Sequence, residues 1–466
     1  RVQGDTAPLQ SEQQEFSAWW RQVCFERSMP IHVRLLSGRT ASVDCNQNNF
    51  VYDLRRAAEK ELGVGIASLS SRSKVLSGTS TLGEAGLQDG DTVNALVRRP
   101  TLTSNIRSPT FVLIEADGSL LAWGAQTAWQ PPCFQQAVSS AEGTWAAVRE
   151  SGDVMTWGEP NHCDMRMVQD RLRKVREVVA TGHAFAALTE DGDVVTWGHI
   201  VSGGESISIR DKLHAVQQIS SSMHAFAAVR RDGTVITWGE AESGGDSSEV
   251  KDQLQRVKQV IGADTAFTAI RVDGTVVTWG DDAGGADSSE VQRDLFAVKQ
   301  VAASFYAFAA VRKDGCVVTW GDAAAGGNSS TVQDQLHEVR QVTASSYAFA
   351  AVRQDGTVVT WGDAACGGDS SAVRDQLQGV REIAASSQAF AAIRDDGSVV
   401  TWGNKASGGD SQRVQPQLHS VEQIQGSRGA FAALREDGEL ITWGHAAFGG
   451  SVPPGRKPAA CSIDAA

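Results

Sequence analysis

The sequence predicts a mainly β protein, a β-propeller of seven to nine short repeated blades preceded by a small α+β domain. Three observations carry this reading. Trp197, Trp238, Trp279, Trp320, Trp361, Trp402 and Trp443 fall 41 residues apart, and Trp157 and Trp123 extend the series to nine Trp-Gly stations. Each station follows a short turn, such as Asp191-Gly192 or Asp437-Gly438, and an aromatic such as Phe185 or Phe431 lies six residues before the turn. Ahead of the repeats, residues 29–99 alternate strand-like runs with one amphipathic helical stretch.

Within a unit, "AFAAVR" (348–353) and "TVVTWG" (357–362) are rich in β-forming residues. Their Asp355-Gly356 junction suits a two-residue type I′ hairpin turn. Upstream, "VRQVTAS" (339–345) alternates apolar and polar residues, which predicts a third strand. Between units, "GGDSSEVKDQLQRV" (244–257) sets capping residues ahead of Val250, Leu254 and Val257. That spacing suggests a turn or two of helix, or an irregular outer segment. Three strands and a connector make a blade that cannot bury both faces alone, so neighbours must stack. Closure into a ring is expected, because it removes exposed strand edges.

One tryptophan per blade has a structural explanation. Burying ~150–250 Å² of indole at ~25 cal/mol/Å² gives several kcal/mol of gross transfer free energy per copy. Trp157, Trp197, Trp238, Trp279, Trp320, Trp361, Trp402 and Trp443 are therefore read as structural repeat residues. The Gly-Gly pairs, such as Gly326-Gly327, follow Trp-Gly at regular corners and are read as turn geometry.

The pattern in "TGHAFAALTEDGDVVTWG" (181–198) resembles the regulator-of-chromosome-condensation repeat family of β-propellers. His183 and His224 occupy the family's histidine position, where Thr265, Tyr306, Tyr347, Gln388 and Gly429 depart from it. The resemblance covers about 105–450, with units shorter than the usual family repeat, and nine hairpins stand where the family usually has seven blades. It resembles the propeller regions of large HECT-type ubiquitin ligases, whose catalytic domain is missing from this chain. On that resemblance the chain is a fragment of such a ligase in one alternative reading. The family's founding member implies a second alternative, nucleotide exchange on a small GTPase. The irregular stretch 124–170, with Trp129-Gln130-Pro131-Pro132, is where an exchange wedge would fit.

In residues 29–99, "MPIHVRLLSGRTASVDC" (29–45) reads as two strands joined through Ser37-Gly38. "FVYDLRRAAEKELG" (50–63) puts Val51, Leu54, Ala58 and Leu62 on one helical face. "KVLSG" (74–78) and "DTVNALVRR" (91–99) supply two more strands. With Gly86-Leu87-Gln88-Asp89-Gly90-Asp91-Thr92 near its end, this order resembles ubiquitin-like domains. The resemblance places that family's aliphatic recognition patch on Leu36, Val75 and Leu96, and implies ubiquitin-binding proteins as partners. The strand runs on through Arg98-Arg99-Pro100, so the domain is an integral module and not a conjugated tag. Residues 1–28 form a lead-in in which Phe16, Trp19, Trp20 and Val23 share an amphipathic helical face; residues 451–466 read as a tail.

Composition limits the partners. With 41% hydrophobic residues, 21% charged residues and a net charge of −13, the chain lacks the basic footprint of a nucleic-acid or anionic-membrane binder. Basic proteins or peptides suit it better. The seven cysteines form no CxxC pair and do not follow the repeat, which predicts free thiols and a cytoplasmic or nuclear location. Cys163 beside His162 reads as loop rather than metal ligand. Neither a nucleophile elbow nor a phosphate-binding glycine loop occurs, so the expectation is a non-enzymatic scaffold without cofactor or metal. Near-identical units differ just before "AF" and just after "WG". Variation there predicts a binding rim, with His183, His224, Tyr306 and Tyr347 as protein-contacting residues.

Overall fold

The computed structural model describes residues 29–104, 106–116, 119–124, 134–141, 143–158 and 164–451. The lead-in helix, the 452–466 tail, the Trp129-to-Pro132 stretch and the His162-Cys163 pair lie outside the described residues. The chain divides into two units, one ending at Arg99 and the next beginning at Pro100.

The first unit contains β1 (Met29–Leu35), β2 (Thr40–Cys45), α1 (Val51–Leu62), β3 (Ile66–Ser71), β4 (Lys74–Val75) and β5 (Thr92–Val97). These strands make one sheet in the order β2-β1-β5-β3-β4, with β1 and β5 parallel. Val51, Leu54, Ala58 and Leu62 are the buried face of α1, as their spacing predicts. They pack on Ile31, Val33, Ile66 and Leu69. The helix stops at Gly63, whose φ of 64° directs the chain back to the sheet.

Two expectations need correction here. "KVLSG" yields a strand of two residues, and the sheet gains an unforeseen strand at Ile66–Ser71. Beyond Ile66, the segment Ala67-Ser68-Leu69 carries little intrinsic β preference. Pairing with β5, Ser68 opposite Leu96 and Leu69 opposite Ala95, holds it extended.

The second unit is built from nine three-stranded antiparallel sheets among the described residues. Sheet 1 spans 101–124 and sheet 2 spans 134–157. Sheets 3 to 9 then occupy 175–198, 216–239, 257–280, 298–321, 339–362, 380–403 and 421–444. Each has an inner, a middle and an outer strand in chain order, an arrangement consistent with a β-propeller. Sheet 1 begins at Thr101, earlier than the expected start at 105.

The middle strand explains why "AFAAVR" is apolar throughout. Ala225, Ala227 and Val229 face sheet 5, where they meet Val257, Phe267 and Trp279. Phe226 and Ala228 face sheet 3 and its Ala184, Ala186 and Leu188. Both faces are thus buried, and alanine at alternate positions lets neighbouring sheets approach closely. Each of the nine interfaces holds one such cluster. The ninth joins Ala430, Ala432 and Leu434 of sheet 9 to Phe111, Leu113 and Trp123 of sheet 1.

The tryptophans lie in these clusters. Trp361 is 3% exposed, stacks on Phe349 at 5.3 Å, and donates from Nε1 to Gly326 O at 3.0 Å. Gly326 belongs to the corner loop of sheet 6, so this indole ties its own sheet to the preceding one, as Trp238, Trp279, Trp320, Trp402 and Trp443 also do. The same bond links Trp123 to Gly449 across the junction of sheets 9 and 1. Two differ: Trp197 is buried but its Nε1 has no hydrogen-bond partner among the described residues, and Trp157 is half-buried beside Trp145.

The hairpin turns are not the type I′ turns expected. Arg353 N–H donates to Thr357 O and Gly356 N–H to Arg353 O, at 2.9 and 3.0 Å. Gly356 has φ of 79°, whereas Asp355 is not among the positive-φ residues. This is a three-residue loop: a type I turn followed by a left-handed glycine. The Asp355 carboxylate selects it by accepting from Thr357 N–H (2.9 Å) and Thr357 Oγ1 (2.6 Å). Gly356 O then accepts from Val380 N–H of the next inner strand at 2.9 Å.

Candidate interaction surface

In an antiparallel sheet, the residue before the middle strand and the residue after the outer strand come to one end. The backbone fixes this in seven successive units. His199 N–H donates to His183 O, Glu240 to His224, Asp281 to Thr265, Asp322 to Tyr306, Asp363 to Tyr347, Asn404 to Gln388 and His445 to Gly429. The two stretches that vary between repeats are therefore one surface, here called the rim.

A second, hidden residue stabilises it. Ser345 Oγ accepts from Ala348 N–H at 3.1 Å and donates to Cys366 O in the corner loop at 2.9 Å. Ser222, Ser304, Ser386 and Ser427 donate likewise to their own corner loops, and Ser222 and Ser304 also accept from the amides of Ala225 and Ala307. Sequence reading missed this serine, which reads as an ordinary loop residue.

The Gly-Gly corners behave as expected, with a reason the spacing did not supply. A Cβ on Gly326 would fall 2.6 Å from Phe349 Cδ2, and one on Gly327 would fall 2.2 Å from Gly321 O. Both positions face protein.

Two clusters stand out on the rim. His183 stacks on His224 at 5.5 Å and meets His199 edge-on at 6.1 Å, and Ser202 Oγ lies 3.2 Å from His224 Nδ1. Tyr306 and Tyr347 lie 6.0 Å apart, with Phe305 5.7 Å from Tyr347. Burial first, then the nearby Asp264 carboxylate, raises both phenols above their ordinary value. Glu240, Asp281, Asp322 and Asp363 occupy the first corner position in four consecutive units, making this side of the rim acidic. At Gly429 the pattern has a physical substitute. The Phe448 ring occupies the space a side chain there would need, with Cδ2 2.6 Å from the position of a Cβ.

A segment of sheet 1 crosses this end of the stacked sheets. Ile106 O accepts from Ser387 Oγ of sheet 8 at 2.6 Å, and Ser108 O accepts from Arg428 N–H of sheet 9 at 2.7 Å. Between them Arg107 pairs with Asp264, just ahead of the middle strand of sheet 5, at 3.1 Å, and its guanidinium lies 5.5 Å from the Phe305 ring centre. Burial pushes the Arg107 guanidinium below its ordinary value, and Asp264 partly offsets this. Nothing in the local sequence signals the crossing.

In the first unit, Leu36, Val75 and Leu96 are 90%, 65% and 55% exposed. Arg34 pairs with Asn94, and Leu36 and Leu96 each lie two residues beyond, on the same side of the sheet. Val75 pairs with Ser70, which pairs with Asn94 in turn. The three side chains the sequence singled out share one outward face, opposite the helix.

The described cysteines Cys45, Cys316 and Cys366 are free thiols. Burial comes first in raising Cys45 and Cys366 to about 11, which leaves both thiols protonated and unreactive near neutrality.

No protein-family model and no curated protein matches the chain. Among solved structures, it is similar to the ectodomain of the Physcomitrella patens receptor kinase CR4, with 15% identity over 57% of this chain and 73% of that one, at a TM-score of 0.38. Prp20p from Saccharomyces cerevisiae, described with its binding to Gsp1p and histones, is 15% identical over 62% of this chain and 75% of its own, at a TM-score of 0.35. The C-terminal ubiquitin-like domain of human 2'-5'-oligoadenylate synthetase-like protein is 26% identical over 15% of this chain and 80% of that one, at a TM-score of 0.14. The fold assignment rests on the strand pairing and packing described above.

Proposed function

We infer that this chain is a non-enzymatic interaction scaffold of the cytoplasm or nucleus. Its nine sheets form a closed, nine-bladed propeller of the regulator-of-chromosome-condensation type, which binds a basic protein partner on the rim. The first unit is a ubiquitin-like module that links that partner to ubiquitin-binding proteins through Leu36, Val75 and Leu96. One observation carries the reading. The variable positions of each repeat are tied together at one end, where carboxylates surround Tyr306 and Tyr347. Such a surface suits cationic side chains flanked by apolar ones.

The test uses the full chain, a Leu36→Ala/Val75→Ala/Leu96→Ala variant and a Tyr306→Ala/Tyr347→Ala variant. Each is titrated with purified ubiquitin-receptor domains and used for capture from extract. Receptor domains should bind the parent and the tyrosine variant but not the triple variant. Rim partners should be lost with the tyrosines alone. Equal receptor binding by all three proteins, or by none, ends the ubiquitin reading. Accelerated nucleotide release from a captured small GTPase would replace the scaffold with an exchange factor.

A further inference from the structure

The opposite, hairpin end of the ring carries an arrangement the rim does not use. The second residue of the inner strand is Lys258, Lys299, Arg340 and Arg381 in sheets 5 to 8. These are four consecutive cations at one register, in a chain of net charge −13. Three of them reach the inner strand of the next sheet. Lys299 Nζ donates to Val339 O at 3.2 Å, Arg340 to Val380 O at 2.8 Å and Arg381 to Val421 O at 3.1 Å. The charged heads are thereby held against one another's strands, with Lys258, Lys299 and Arg381 exposed.

The contrast with other basic residues is informative. Arg312, Arg353, Arg394 and Arg435, at the ends of middle strands, each pair with a turn aspartate. None of the four inner-strand cations has a salt bridge among the described residues. The turn aspartates at this end pair with middle-strand arginines, while Glu382 lies next to Arg381 and Glu422 at the end of the arc. Adjacent like charges repel, so an arc of this kind is favourable when an anion lies across it. The backbone bond occupies part of each guanidinium and leaves other N–H groups for phosphate oxygens.

We propose that Lys258, Lys299, Arg340 and Arg381 bind a compact, multiply phosphorylated soluble anion at the hairpin end of the ring. The curvature selects this class over an acidic peptide. The four charges follow an arc around the ring at one level, matching a ligand with phosphates around its perimeter. An extended peptide instead presents carboxylates along a line.

The experiment is calorimetric titration of the full chain with inositol hexakisphosphate at physiological ionic strength. One site per chain is expected. Lys258→Gln is the central variant, because Lys258 makes no hydrogen bond among the described residues and sheet 4 already has Gln217 at this position. It should weaken binding about tenfold, and Lys258→Gln/Lys299→Gln about a hundredfold. Lys251→Gln, the same charge change in an exposed outer connector, should leave affinity unchanged, and circular dichroism melts confirm the fold of each variant. Absence of binding, or equal weakening by Lys251→Gln, overturns the site. Binding of hexaglutamate without binding of the hexakisphosphate overturns it in favour of an acidic peptide. Sedimentation with phosphoinositide-bearing vesicles separates the sources. No sedimentation is expected, and sedimentation abolished by Lys258→Gln would overturn the soluble source in favour of a lipid headgroup.

Discussion

Replacing Trp361 by Phe tests the claim that its indole fastens sheet 7 to sheet 6. The substitution keeps a ring stacked on Phe349 but removes Nε1, the donor to Gly326 O at 3.0 Å. Leaving the buried Gly326 carbonyl without its donor costs about 1–3 kcal/mol. The smaller ring gives up roughly 40 Å² of burial, about 1 kcal/mol at ~25 cal/mol/Å². The expected loss is about 3 kcal/mol. Native-state hydrogen exchange is the appropriate assay, because an assembly of stacked sheets need not unfold in one step. Amides in Ala348–Arg353 and in the facing Ala307–Arg312 strand should exchange about a hundredfold faster, and those of sheet 3 much less. Unchanged exchange, or a uniform increase in every sheet, would refute the reasoning.

Three further outcomes are expected. Gly326→Ala should destabilise by about 2–4 kcal/mol, from φ of 91° and a Cβ 2.6 Å from Phe349. Gly379→Ala should cost about 1 kcal/mol or less, because its nearest neighbour is the Asp395 carboxylate at 3.2 Å; thermal melts compare the two. Hydroxyl bonds first, then backbone N–H bonds, hold the turn carboxylates of Asp232, Asp273, Asp355 and Asp396 below their ordinary value. Their stabilising effect is complete above about pH 4 and is lost as pH falls through the lowered native-state values. Urea midpoints should therefore drop as pH falls below about 4, and less steeply in the fourfold Asp→Asn variant. Arg107→Ala should cost about 1–3 kcal/mol by stranding the Asp264 carboxylate, and adding Asp264→Asn should recover part of that in urea titrations.

What could be read in advance divides by distance along the chain. The strands "AFAAVR" and "TVVTWG", the helical face Val51-Leu54-Ala58-Leu62 and the shared rim all follow from patterns within one unit. The turn type did not follow, because Asp-Gly between apolar runs does not reveal how many flanking residues the loop takes. Alternation marked Gln218 and Gln423 simply as polar strand positions. Each instead bonds the backbone of the next inner strand, at Val260 and Leu102. The Arg107 crossing was hidden because its partners at 264, 305, 387 and 428 lie far along the chain. The cationic arc escaped notice because a strongly negative total masks a local surplus of opposite sign.

The bond from Trp123 to Gly449 spans 326 residues, and the Ile106 contact to Ser387 spans 281. At a synthesis rate of about 5–20 residues per second, roughly 15–65 s separate the emergence of Trp123 from that of its acceptor. Through that interval Phe111 and Trp123 lie on a finished sheet with one flank uncovered. The first sheet to be made is thus the last to be completed, and the nascent chain carries an aromatic face open to other molecules until the final repeat arrives.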